Sequence, residues 1–158
     1  MTSIVRAGLI AAVYIVLVWV LQPISFGAFQ FRAAEALALL PMLFPEAVTG
    51  LFVGVMLANI LGGLGPWDIF GGSLVTLLAA YITYRYRFTW IAYVSPIVLN
   101  AVLVSAYLHL IFGLPYLLLV VSIGVSQTVV VLGLGLPLVR FLQRNYPHIV
   151  EDNEDRKE

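Results

Sequence analysis

Arg32 and Glu35 stand three residues apart between long apolar segments, and no other pair in the chain asks so plainly for a chemical reason. A charged side chain inside a spanning helix costs roughly 3 kcal/mol on insertion scales, and residues at i and i+3 share one helical face. Two readings answer the question. The pair closes the entry to a short helix as an interfacial salt bridge, or it forms a polar clamp at the mouth of a cavity. In the second case the Glu35 carboxylate accepts two hydrogen bonds from an amidine-like edge. Asn59, Asn100 and Asp68 are further polar groups that such a site can use. Each also has a structural use: asparagines in apolar helices bond neighbouring helices, and Asp68 reads as an N-cap whose carboxylate takes an orphan amide proton. Trp67, Phe26, Phe29 and Phe31 offer aromatic faces that anchor at a membrane interface or stack on a planar ligand.

Other chemistry is thin. His109 and His148 lie too far apart to mark a metal site, and no nucleophile–base pair or acidic cluster appears, so no metal, cofactor or catalytic residue is expected. Gly62-Gly63-x-Gly65 lacks the following lysine of a phosphate loop. The absence of cysteine removes disulfides, thiolate metal sites and cysteine nucleophiles. Gln127 has no assigned role.

The elements that must position these groups follow from composition. Of 158 residues, 62% are hydrophobic and only 10% charged, with zero formal net charge. Mean hydropathy is +1.04. Soluble domains carry about 25% charged residues, so this is an all-α integral membrane protein. With about 20 residues per span there is room for roughly six or seven spans before Arg140, and almost none for a soluble domain. The neutral charge and scattered arginines exclude a nucleic-acid partner.

Six apolar segments emerge. The first runs from Ile4 to Leu21; it is span-length, lacks a small-residue cleavage site, and stops at Gln22-Pro23. A loop through Ser25, Gly27 and Gln30 leads to a short segment from Ala33 to Phe44. Pro45 and Glu46 open a third, which ends near Leu61 before a glycine-rich turn. The fourth, Ile69 to Tyr84, follows Asp68. The fifth, Trp90 to Phe112, is broken by Pro96, and the sixth, Tyr116 to Leu142, contains Pro137. Residues 1–145 are thus expected to form one six-helix transmembrane domain, and 146–158 a polar, disordered tail.

Charge placement supports an even count. Six spans put both termini on one side together with Arg6, Arg85, Arg87, Arg140 and Arg144, which the positive-inside rule makes cytoplasmic. Arg32 is left on the outer side, where Asp68 joins it. In the first segment, Ala7-x-x-x-Ala11 and Gly8-x-x-x-Ala12 set small side chains one turn apart, a spacing that lets another helix approach closely.

The ordered runs Gln30-Phe31-Arg32-Ala33-Ala34-Glu35-Ala36-Leu37, Gly50 through Gly63, Asp68 with Gly71 through Ala80, Pro96 through Ala101, and Gly133 through Pro137 resemble the QueT family. These are substrate-binding S components of energy-coupling factor (ECF) transporters, associated with uptake of queuosine precursors. The likeness runs from about Val5 to Leu142 and is least convincing around Val125-Ser126-Gln127. It implies a six-helix S component in a prokaryotic cell membrane, binding a 7-deazaguanine-type base near the extracellular face. It also implies a membrane scaffold subunit and two cytoplasmic ATPases as partners, the scaffold meeting Ala7, Gly8, Ala11 and Ala12. A guanine-like edge presents N–H donors beside a carbonyl, which Arg32, Glu35, Asn59, Asp68, Asn100 and Trp67 together can match. The reading from a different class is a structural or regulatory membrane subunit with no small-molecule ligand, whose polar residues only join helices.

Overall fold

The computed structural model describes residues 3–25 and 31–146. Phe26, Gly27, Phe29, Gln30, His148 and the acidic tail from 147 onward lie outside the described residues. Within them the chain is helical throughout, without a strand. We label the six helices α1 (Ser3–Val20), α2 (Ala33–Met42), α3 (Ala47–Leu61), α4 (67–85), α5 (Trp90–Phe112) and α6 (Tyr116–Asn145). One extra turn, Gln22–Ser25, follows α1 where a plain loop is expected from the proline. Connections of a few residues make α2 to α6 double back on one another, and Gly113, at φ +66°, supplies the left-handed turn that ends α5. Three helices, α1, α5 and α6, are long and apolar enough to cross a membrane by themselves.

The short second segment is the centre of the bundle. Every residue of α2 from Ala34 to Met42 is buried, as befits a helix that is apolar on all sides but for Glu35. Its winding is tight: hydrogen bonds run i→i+3 over ten residues, longer than such helices usually persist. At about 2.0 Å rise per residue that stretch covers about 20 Å, against about 15 Å for an ordinary α-helix of equal length. The stretched helix therefore reaches deeper into the bundle. Leu37 and Leu40 pack with Tyr14, Leu51 and Val55 on one side, while Leu39 and Met42 pack with Val131 and Val139 on the other.

Such packing depends on glycine where backbones meet. A Cβ at Gly50 would sit 2.7 Å from the Ala7 carbonyl oxygen of α1, and one at Gly135 would sit 2.7 Å from that of Ala36 in α2. Both contacts are with backbone, which cannot swing aside. Gly50→Ala and Gly135→Ala should each destabilise the bundle by about 1–3 kcal/mol through overpacking. Gly8→Ala meets nothing within 4 Å and should stabilise it slightly. Thermal melting of the three purified variants checks this, and equal melting temperatures would refute the close approach.

Pro96 does not break α5. The helix continues through it, and the carbonyl it deprives of an amide partner, Ala92 O, accepts instead from the Thr83 hydroxyl of α4 at 3.2 Å. Thr83 also lies 3.1 Å from the Ser95 hydroxyl. A neighbouring hydroxyl is the usual way an apolar environment tolerates proline inside a helix. The N-cap expectation for Asp68 also fails. Pro66 holds the cap position, α4 begins at Trp67, and Asp68 falls inside its first turn with its carboxylate turned to another helix.

Outward faces are apolar. Leu9, Val13 and Val16 of α1, Leu74 and Leu78 of α4, and Leu118, Val121, Val125 and Val129 of α6 are all exposed. Stripes of this kind around a whole bundle call for lipid rather than water.

Candidate ligand-binding site

Arg32 occupies the position preceding α2, in extended conformation, and its carbonyl accepts the Glu35 amide at 3.0 Å to begin the tight helix. This geometry carries Glu35 to the bundle centre, where the residue is 4% exposed. The Tyr14 hydroxyl of α1 donates to Glu35 Oε1 at 2.6 Å, within the short range of charge-assisted O–H···O bonds. Arg32 is half-buried and lies within electrostatic reach of Tyr14, Glu35 and Tyr107. A carboxylate so placed is tolerable only with such company.

Four helices close a polar cavity around this carboxylate. Arg32 and Glu35 come from the start of α2, Thr76 from α4, Asn100 and Tyr107 from α5, and Gln127 from α6. The volume is about 30 Å³, room for a water or two. Wide-turn segments with i→i+5 bonding occur at Trp67–Gly72, Asn100–Val104 and Val131–Gly135. The first ends at the cavity wall with Gly72, and the second supplies Asn100 and Val104 to it. Helical irregularities of this type rotate side chains out of regular register and recur at functional sites.

The expected site residues separate accordingly. Arg32, Glu35 and Asn100 share the cavity. Asn100 Nδ2 is engaged with Pro96 O of its own helix at 2.8 Å. Asn59 and Asp68 stand behind the wall instead. Asn59 Nδ2 donates to the Asp68 carbonyl at 2.7 Å, pinning the α3–α4 turn, and the Tyr107 hydroxyl donates to Asp68 Oδ1 at 2.9 Å. Both pass close to Gly72: a Cβ there would sit 3.4 Å from Asn59 Nδ2 and 3.5 Å from Tyr107 Oη, ordinary van der Waals contact. Trp67 is 63% exposed and lies outside the cavity. Tyr14, Thr76 and Tyr107 were not anticipated. Tyrosine and threonine in apolar helices carry no distinguishing spacing, whereas the amide of Gln127 amid the apolar run of α6 was a signal without an address.

A second concavity lies between α1 and α3 at the end carrying Arg6, which pairs with Glu46 at 3.8 Å. This groove, about 360 Å³, has Ala7, Gly8, Gly50 and Val53 among its lining residues. The four small residues of α1 have different surroundings. Ala11 is buried against Gly54, and Ala7 backs onto Gly50, so these two form the floor of the groove. Gly8 is exposed beside them with open space before it, and Ala12 is exposed outside the groove. The glycines opposite explain the division, because they let α3 close on the side of α1 where Ala7 and Ala11 lie.

A helical bundle clothed in apolar side chains, with polar groups turned toward an internal cavity, defines a helical membrane protein. Family membership is sharper than class. The chain belongs to the QueT transporter family, whose model matches residues 4–144. Comparisons with curated proteins and with solved structures return no match.

Proposed function

We propose that the protein is the substrate-binding S component of an ECF-type importer that captures a queuosine precursor, a 7-deazaguanine-type base. The observation that carries this reading is the buried Glu35 carboxylate, facing a cavity that it shares with Arg32 and Asn100. A purely structural subunit has no need of an anionic acceptor at its centre. The base presents adjacent N–H donors on one edge, which a carboxylate accepts in pairs. A bicyclic ligand needs several times the present volume, so binding requires lining side chains to withdraw.

The proposal extends to six spans in a prokaryotic cell membrane, both termini cytoplasmic and the cavity toward the outer face. Membership of a transporter family implies transport rather than catalysis, and accumulation against a gradient then needs two ATPases and a scaffold subunit. The groove beside Gly8 is the surface for the scaffold.

Two measurements test this reading. The melting temperature of the purified chain should rise with added deazaguanine bases and stay constant with unrelated heterocycles; no response to any of them would reject the function. For topology, a single cysteine replacing Ser25 in this cysteine-free chain should react with an impermeant thiol reagent in intact cells. Labelling only after permeabilisation would place that turn inside.

A further inference from the structure

Hydrogen-bond accounting around the cavity singles out Gln127. The Thr76 hydroxyl is committed to the Gly72 carbonyl, Asn100 Nδ2 to Pro96 O, and the Tyr107 hydroxyl to Asp68. Glu35 already accepts from Tyr14 through one oxygen. Gln127 is 7% exposed, its Oε1 is buried without a partner, and the side chain lines the cavity. A glutamine placed only to join helices would hydrogen-bond one of them, since an unmet amide in an apolar interior is costly. The other buried oxygens without partners differ. Asn59 has its amide nitrogen engaged with Asp68, and neither Ser105 nor Glu46, whose other oxygen pairs with Arg6, is among the cavity residues.

A primary amide offers a donor and an acceptor side by side, so its planar complement is an edge carrying an acceptor and a donor. Glu35 asks for something else, an edge of donors. The two project from different helices, α2 and α6, into the same small volume, and therefore meet different edges of one ligand. A deazaguanine-type base has both. Its amidine edge carries two N–H groups, and its five-membered ring presents an N–H next to a ring-nitrogen acceptor.

Resting on the reading of this cavity as the ligand site, we propose that Gln127 is a specificity-determining residue that pairs with the donor–acceptor edge of the free base. Substitution at that ring N–H, as in a nucleoside, removes the donor and drives bulk against α6. Gln127 thus selects the unsubstituted base, while Glu35 holds the amidine edge.

The test measures binding of a 7-deazaguanine base and its analogue methylated at the five-membered-ring nitrogen to the purified full chain, alongside ligand-free thermal stability. Unmodified protein should prefer the free base by tenfold or more. Gln127→Leu should bind the base about tenfold more weakly, bind both compounds within about twofold of each other, and melt no lower without ligand. Gln127→Met, of similar length, repeats the comparison with a different packing shape. If both variants keep the preference, or both lose ligand-free stability, Gln127 is structural and the proposal is overturned. A chain that binds neither compound before mutation overturns the S-component reading itself, whereas a preference that survives in both variants overturns the role of Gln127 alone.

Discussion

Glu35→Gln is expected to lower affinity for the deazaguanine base tenfold or more while leaving the bundle folded. The substitution preserves shape, but it removes the negative charge and turns one acceptor into a donor that faces the ligand's own donors. Hydrogen bonds to charged groups contribute about 1.5–3 kcal/mol, and about 1.4 kcal/mol corresponds to one decade of affinity. The partner on the other side matters too. Tyr14 donates to Glu35 Oε1 at 2.6 Å, so Tyr14→Phe should weaken binding by a smaller factor, releasing the carboxylate without discharging it. Asn100→Ala should also weaken binding, because Asn100 lines the cavity. Titration calorimetry on each purified variant, with melting temperatures recorded beside it, separates lost contact from lost fold. Unchanged affinity in Glu35→Gln would mean that the ligand sits elsewhere.

Gly8→Trp is expected to abolish uptake with ligand affinity retained. The groove between α1 and α3 has a volume of about 360 Å³, and an indole projecting from Gly8 would obstruct it. Gly8 suits the experiment because nothing lies within 4 Å of a Cβ built there, so the bulk points away from the protein's own packing. Ala11→Trp is a poorer probe: Ala11 is buried against Gly54, and its enlargement would force α1 from α3. Small residues admit close helix approach, and a large one removes it sterically. Co-purification of Gly8→Trp with the scaffold and ATPases measures docking, and a binding titration on the isolated variant measures the site. Normal assembly and uptake would exclude the groove as the coupling surface.

Membrane character and helix count were legible because both depend on local composition. Runs near span length, punctuated by Pro23, Pro45, Gly62 to Pro66 and Gly113, permit little besides helices that turn at those points. Arg32 and Glu35 were legible for a related reason: a charge among apolar neighbours is costly wherever the chain folds. Trp67 and Asp68 were plausible as ligand groups by type and position alone. Their actual surroundings, the surface for one and Tyr107 for the other, depend on how α4 is rotated.

The sequence by itself determined that this is a helical membrane protein with a polar pair near the start of its second helix, since hydropathy and charge act over a few residues at a time. Only the tertiary structure decided that α2 is the buried axis, that its tight winding sets Glu35 opposite Tyr14, and that α5 and α6 bring Asn100 and Gln127 to the same cavity. Those results depend on glycine-mediated approach and on helix rotation, which join residues far apart in the chain and leave no periodic trace in it.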